Sequence, residues 1–191
     1  MVLHAALAAV LGRLSGSRDV VIGTAAAGRD GDTDDLIGMF VNTVALRTPI
    51  VPAQPFTDLL RVVREVDLDA LDHAGVPFDD VVDELGVART ASHAPLVQVL
   101  LTTSDLAAPG APDGQVAGLD VEPVAVEDNS AKLDLTLGVL TDPAEGAPWR
   151  GSLTYATDLY DESAARRLAD RFIGVLAAVG PARRAAKLKV L

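Results

Sequence analysis

The stretch IGMFVNTVALR, residues 37–47, has the composition of a buried strand but carries two polar side chains in its middle. Most of its positions are β-branched, aromatic or aliphatic, which suits the pleated surface of a sheet. Asn42 and Thr43 interrupt that pattern with an amide and a hydroxyl. A buried polar group must find a hydrogen-bond partner, or it lowers stability. The pair therefore marks either a structural contact or a functional site.

The composition indicates a globular chain without thiol chemistry. The 191 residues are 49% hydrophobic but only 4% aromatic, so Ala, Val and Leu must fill the core. The absence of cysteine excludes disulfides, thiol catalysis and zinc sites built on thiolates. A formal charge of −11 argues against nucleic-acid binding. Since no bilayer-spanning run and no secretion signal is found, we predict a cytoplasmic protein without membrane contact.

Helices and strands alternate along the sequence without an internal repeat. Apolar residues at helical spacing predict helices over residues 3–14, 56–70, 76–86 and 162–179. Asp161 is predicted to cap the last helix, and Gly86 to end the third. Short apolar or alternating runs predict strands over residues 19–24, 37–47, 96–103, 119–126, 132–140 and 151–160. This order predicts an α/β (α+β) fold, a mixed sheet with helices packed on it.

A motif search finds no self-sufficient active site. The loop GTAAAGRDG lacks the Lys-Ser/Thr ending of a phosphate-binding loop, and no Gly-x-Ser-x-Gly elbow occurs. The three histidines, His4, His73 and His93, are too far apart for metal-ligand spacing, so no metal site is predicted. His4 is predicted to lie on the exposed surface of the first helix. The carboxylates of residues 79–84 are predicted to form a solvated helix face.

Four ordered motifs resemble nonribosomal peptide synthetase condensation domains. The first is similar to the family pattern IGxFVNTxxxR and follows a strand and a Gly-Arg loop, as in that family. HAGVPFDDVVDELG, ARTASHAPLVQVLLT and AKLDLTL with GSLTYATDLYD are similar to later family segments, in the same order. Ala74 and Gly75 depart from the Gln-Asp of the family. The matching positions of the first motif are Ile37, Gly38, Phe40, Val41, Asn42, Thr43 and Arg47.

The resemblance implies one lobe of a two-lobed domain. Each lobe of that family is similar to chloramphenicol acetyltransferase, and residues 1–180 correspond to the C-terminal lobe. Residues 181–191 are then a basic linker toward a following domain. The general-base histidine of the family lies in an HHxxxDG motif of the N-terminal lobe, and this chain has no adjacent pair of histidines. We therefore expect no catalytic residue in this chain and no activity from it alone.

The implied reaction joins a donor acyl or peptidyl thioester, by an amide bond, to an acceptor aminoacyl thioester. Both substrates ride on phosphopantetheine arms of carrier proteins, and no cofactor is bound directly. The implied partners are the N-terminal lobe, the donor and acceptor peptidyl carrier proteins and an adjacent adenylation domain. Two alternatives remain open: a degenerate condensation-like module that recruits partner proteins without catalysis, and a self-sufficient acyltransferase or hydrolase with an unrecognised site.

The resemblance also assigns site residues. It places Gly38, Phe40, Asn42 and Thr43 beside the substrate tunnel, and Arg29 at the contact between the lobes, facing the Asp of HHxxxDG. Because successive strand side chains point to opposite faces, we expect Asn42 to meet the tunnel and Thr43 to brace the scaffold. The structural alternatives are that the pair satisfies the backbone of a neighbouring loop, and that Arg29 is a solvent-exposed loop residue.

Overall fold

A computed structural model describes residues 1–29, 31–105, 115–116, 119–120, 130–141, 149–179 and 187–190 of the chain. The helices are α1 (Val2–Ser15), α2 (Phe56–Asp72), α3 (Phe78–Glu84) and α4 (Glu162–Val179). The strands are β1 (Asp19–Ala27), β2 (Val41–Pro49), β3 (Val99–Asp105), β4 (Gln115–Val116), β5 (Leu119–Asp120), β6 (Leu135–Thr141), β7 (Arg150–Tyr155) and β8 (Lys187–Val190).

Six of these strands form one mixed sheet in the order β2-β1-β3-β6-β7-β8, and β4 and β5 form a separate hairpin. The pairs β1–β2 and β6–β7 are antiparallel, whereas β1–β3, β3–β6 and β7–β8 are parallel. Parallel neighbours need a crossover, and β1 reaches its parallel neighbour β3 through β2 and the segment that carries α2 and α3. The predicted class, a mixed sheet with packed helices, is confirmed.

Helices α1, α2 and α4 cover one face of the sheet. α1 and α4 pack on alternate residues of the central strands, and α2 packs on β2 through Val44 and Leu46. The side chains between those alternate residues point to the opposite face, because strand side chains alternate. The largest fully buried hydrophobic side chains of the covered face are Leu7, Ile22, Leu135, Leu137, Leu153 and Phe172.

Two predicted helix ends are confirmed. The Asp161 side chain accepts a hydrogen bond from the backbone N–H of Ala164 at 2.6 Å, as expected of an N-cap. At the end of α3, Gly86 has φ = +62°, the left-handed conformation that glycine adopts without a Cβ clash. Local chemistry alone determines both ends, and for this reason the sequence predicted them correctly.

Some predicted segment boundaries differ from the structure, and one predicted strand lies mostly outside the described residues. Strand β2 begins at Val41, so residues 37–40 lie in the preceding loop. Residues 187–190, which lie within the predicted linker 181–191, form β8 and pair with β7. Of the predicted strand 119–126, only residues 119–120 are described, and Pro123 lies outside the described residues. Pairing with a partner strand, which composition does not encode, produces β8.

The prediction that His4 lies on an exposed helix surface is wrong. Its side chain is 2% exposed, with Nδ1 2.6 Å from Asp67 Oδ1 and Nε2 3.1 Å from Thr48 Oγ1. Helix α1 is apolar around most of its circumference, which is typical of a helix buried on several sides. The packing of α2 against α1 places Asp67 beside the imidazole, and a pattern within one helix cannot predict that approach.

Candidate functional site

A cleft of about 350 Å³ opens on the face of the sheet opposite to α1, α2 and α4. Four strands of the sheet contribute one side chain each, Thr43 of β2, Leu100 of β3, Thr136 of β6 and Thr154 of β7. Their sequence neighbours Val44, Leu101, Leu135, Leu137 and Leu153 belong to the hydrophobic core of the covered face. The remaining lining residues are Phe78, Ala94, Pro95, Val97, Ser130, Lys132 and Leu133.

Thr43 is the member of the opening pair that lines this cleft, whereas Asn42 points the other way. The Asn42 amide nitrogen donates to the carbonyl oxygens of Ala74 (2.8 Å) and Val76 (2.6 Å). Its oxygen accepts from the backbone N–H of Thr43 (2.9 Å) and of Phe78 (3.1 Å). A carboxamide has two N–H donors and two acceptor lone pairs, so these four bonds use its whole capacity.

These contacts correspond to the structural alternative for Asn42, in which its side chain pairs with the backbone of a neighbouring loop. That loop is the one between α2 and α3. The expected alternation of Asn42 and Thr43 between opposite faces is present. A tunnel contact by Asn42 itself remains a prediction, but the amide has no unused donor for a substrate. Its oxygen instead holds the backbones of Thr43 and Phe78, two residues at the edge of the cleft.

Gly38 and Phe40 lie away from this cleft, in the Gly-Arg loop that joins β1 to β2. The Arg29 guanidinium donates to the carbonyl oxygens of Thr33 (2.6 Å), Leu36 (2.8 Å) and Gly38 (3.3 Å). It also stacks over the Phe40 ring, 4.4 Å from the ring centroid. Arg29 is exposed, but it is a loop-organising residue rather than a freely solvated one.

The Gly-Arg loop presents an apolar surface to solvent. Ile37 is fully exposed, and Met39 and Val41 are 92% and 60% exposed. Together with Arg29 and Phe40 they line a second depression, of about 570 Å³. Gly28 also lines this depression, and a Cβ there would overlap the Phe40 carbonyl oxygen. Large contiguous apolar surfaces of this kind mark interaction sites more often than free surface.

Arg47, near the end of β2, contacts Asp19 of β1. Its guanidinium donates to both carboxylate oxygens of Asp19, at 2.7–3.1 Å. These hydrogen bonds lower the pKa of Asp19 and raise that of Arg47. Both side chains are exposed, so the pair contributes little to stability.

The buried group Thr48–His4–Asp67 has the connectivity of a hydrolase triad, with a hydroxyl on one imidazole nitrogen and a carboxylate on the other. Thr48 is 0% exposed and Asp67 6% exposed, and none of the three lines the cleft. A nucleophile must reach its substrate, so this group serves to join α1, α2 and β2. It gives no support to a self-sufficient hydrolase.

The other two histidines are at the surface. His73 hydrogen-bonds the Asp69 carbonyl oxygen (2.8 Å) and His93 that of Ala94 (3.2 Å). The Asp69 carbonyl, and then its carboxylate, raise the pKa of His73. Within the described ranges, no group of three or more His, Asp or Glu side chains is placed to hold a metal ion. No described helix has the length and apolar character needed to cross a bilayer.

Residues 1–189 match the family model described as "Condensation domain". The chain belongs to the condensation-domain family. It is 38% identical over 180 residues to surfactin synthase subunit 2 of Bacillus subtilis (strain 168), covering 94% of this chain and 5% of that protein. It is 37% identical over 188 residues to isonitrile lipopeptide synthase of Mycobacterium tuberculosis, covering 95% of this chain and 7% of that protein. The chain thus spans a small part of these relatives.

Solved structures of the family share this fold. The X-domain from teicoplanin biosynthesis superposes with a TM-score of 0.78 at 29% identity, covering 95% of this chain and 42% of that chain. The starter condensation domain of rhizomide synthetase has a TM-score of 0.74 at 21% identity, covering 96% of this chain and 42% of that chain. This second likeness is one of fold. The prediction of a chloramphenicol-acetyltransferase-like lobe from a nonribosomal peptide synthetase condensation domain is confirmed.

The sequence did not single out most of the cleft residues. Thr136, Thr154 and Phe78 come from separate segments, and only the strand order brings them together. One signal was present, because Thr136 and Thr154 each lie between apolar residues of a predicted strand. From that alternation, a row of hydroxyls on one face of the sheet could have been predicted. Which of these hydroxyls are neighbours depends on the strand order and register, which the sequence does not give.

Proposed function

We propose that this chain is the C-terminal lobe of an amide-forming condensation domain. The whole domain joins a donor acyl or peptidyl thioester to the amine of an acceptor aminoacyl thioester. This lobe supplies one wall of the tunnel in which the two substrates meet. The observation that carries the proposal is the cleft on the uncovered sheet face, in a chain whose residues 1–189 match the condensation-domain family model.

Within this proposal, Thr43 is the substrate-facing member of the opening pair. Its hydroxyl, with those of Thr136 and Thr154, offers donors and acceptors to the amide groups of a phosphopantetheine arm. Asn42 is a positioning residue, since its oxygen holds the backbone N–H groups of Thr43 and Phe78. The chain itself supplies no general base, in keeping with its lack of an adjacent histidine pair.

The Gly-Arg loop is the surface proposed to meet the N-terminal lobe. Arg29 already fixes the loop through hydrogen bonds to carbonyl groups of the loop, and its charge remains exposed for an acidic residue of the other lobe. Ile37 and Met39 beside it supply apolar area for that contact. Gly38 and Phe40 then act at the tunnel mouth through this loop rather than in the cleft.

The remaining partners follow from the same proposal. Carrier proteins present the thioesters on phosphopantetheine arms, and an adenylation domain adjoins the lobe. One neighbouring fold comes from a four-domain nonribosomal peptide synthetase solved in its holo form with AMP and glycine bound. This chain covers 15% of that protein, so the remaining domains and the phosphopantetheine arms belong to that synthetase and not to this chain.

The test uses the chain alone and the chain joined to a complementary N-terminal lobe. Mass spectrometry of carrier-bound products should show an amide product only from the two-lobe protein. There, Thr43→Val should lower single-turnover condensation about tenfold through the lost hydrogen bond. The matched control is Thr57→Val, an exposed α2 residue outside the cleft. Turnover by the purified chain alone, or equal rates for the two threonine variants, would contradict the proposal.

A second candidate function is recruitment of a partner protein without catalysis. The observation that favours it is the likeness to the teicoplanin X-domain solved as a complex with OxyB, with a TM-score of 0.75 at 31% identity. That complex covers 93% of this chain. A two-lobe protein that condenses no substrate yet binds a partner protein with micromolar or higher affinity would favour recruitment over condensation.

A further inference from the structure

Val97 is the one buried residue among those that line the cleft, and we take it as the floor of the cleft. It lines the cleft but is only 2% exposed, because it is seated against the sheet. Beneath it lies Gly23 of β1, where a Cβ would be 2.5 Å from Val97 Cγ1 and 3.1 Å from Leu100 Cδ1. Val97 thus occupies the space that Gly23 leaves, and no larger residue fits at Gly23 without moving it.

The backbone around Val97 is held in an unusual turn. The Val97 N–H donates to the carbonyl oxygen of Pro95 at 2.6 Å, which closes a three-residue γ-turn. Leu96, its central residue, has φ = +61°, a conformation that L residues with a side chain rarely adopt. The side-chain amide of Gln98, the residue after Val97, donates to the Ala94 carbonyl oxygen at 2.8 Å. Both contacts hold Val97 over Gly23.

We propose that Val97 sets the depth of the cleft and so limits the size of the apolar group that it accepts. This inference rests on the proposed function and adds its substrate class. The group is the apolar side chain or acyl chain of a carrier-bound thioester, because the lining around the buried Val97 is mostly hydrocarbon, whereas Ser130 and Lys132 are exposed. The apolar lining residues are Phe78, Ala94, Pro95, Val97, Leu100 and Leu133.

Two substitutions change the depth in opposite directions. Val97→Ala removes two methyl groups from the floor and deepens the cleft. Val97→Ile adds one methylene and makes the cleft shallower. A single methylene in a hydrophobic pocket changes discrimination by about 10–200-fold. The preference for leucyl over alanyl substrates should therefore rise about tenfold or more in Val97→Ala and fall by a similar factor in Val97→Ile.

The experiment measures that preference in two independent ways. In the two-lobe protein, kcat/KM is compared for leucyl and alanyl carrier-bound thioesters. In the chain alone, NMR titration gives the Kd of leucyl and alanyl N-acetylcysteamine thioesters. Val139→Ala, a buried β6 residue on the covered face, is the control for lost packing without a change in the cleft. It should lower the melting temperature without changing either ratio.

The outcomes separate the inference from the proposed function. Opposite shifts of the size ratio in the two Val97 variants support it. Unchanged ratios in both variants overturn it, even when the wild-type domain condenses normally. Absence of condensation in the wild-type two-lobe domain counts against the proposed function, and the Kd ratios of the chain alone then decide the inference. Gly23→Ala, which pushes Val97 into the cleft, should act like Val97→Ile if it folds.

Discussion

The two faces of the main sheet are built from different chemistry on the same strands. On β6, Leu135, Leu137 and Val139 are buried under the helices, while Thr136 lies between them and lines the cleft. On β2, Val44 faces α2 and Thr43 faces the cleft. The covered face holds the chain together through hydrocarbon packing, so substitutions there should reduce stability. The uncovered face carries hydroxyls that stability does not require, which leaves them available for function.

We expect the largest loss of stability on the covered face when the buried His4–Asp67 pair is broken. Asp67→Ala removes the carboxylate and leaves the imidazole of His4 buried without its partner. Leaving a buried polar group unpaired costs about 1–3 kcal/mol, and the loss of a charged partner costs more. Denaturant unfolding should show that loss, whereas Asp69→Ala, an exposed residue of the same helix, should change stability little. A small effect of Asp67→Ala would mean that the covered face does not depend on this polar group.

Neighbouring residues of β6 test the comparison directly. Leu137→Ala should lower the unfolding free energy by about 2–5 kcal/mol, since it leaves a cavity in the core. Thr136→Ala, one residue away on the other face, should cost within about 1 kcal/mol, because it removes little buried hydrocarbon. Chemical denaturation of both variants measures the difference. Equal losses at the two positions would break the distinction between the faces.

The pair Asn42 and Thr43 sharpens the same comparison at the edge of the cleft. Asn42→Ala leaves the N–H groups of Thr43 and Phe78 and two loop carbonyls without their partner. We expect a loss of about 1–3 kcal/mol in unfolding free energy. Thr43→Val should stay within about 0.5 kcal/mol of wild type. Thermal unfolding beside single-turnover condensation separates the two positions.

A stable Asn42→Ala protein with lost condensation would instead assign Asn42 a direct tunnel contact. A protein that melts early but condenses normally below its melting point would make Asn42 a purely structural residue. The intermediate result, lower stability with a moderate loss of rate, is the one expected of a positioning residue.

The smallest expected effect concerns the N-terminal cap of α4, one of the helices that cover the sheet. The Ser163 hydroxyl and then the Ala164 N–H lower the pKa of Asp161. A carboxyl whose pKa is lowered by folding adds stability above its unfolded pKa of about 3.9 and loses it as the pH falls through the folded value. Asp161→Asn should therefore melt slightly below wild type at pH 7, and the gap should close in acid. A constant gap from pH 7 to pH 2 would contradict this account.

Local patterns determined most of the elements. Helical spacing predicted α1, α2 and α4, and alternation predicted β6, because those signals depend only on residues a few positions apart. The Asp161 cap and the Gly86 end followed from side chains acting on their own backbone. The family motifs also indicated the fold, since they lie in the same order along the chain.

The tertiary structure alone decided how those elements meet. The sequence required partners for His4 and Asn42 but could not name Asp67 or the loop at Ala74 and Val76, because these lie 63, 32 and 34 positions away. Alternation placed Asn42 and Thr43 on opposite faces, but only the side on which α2 packs determines which of them meets the cleft. Distant contacts depend on strand register and helix packing, which arise from the whole core rather than from any one segment.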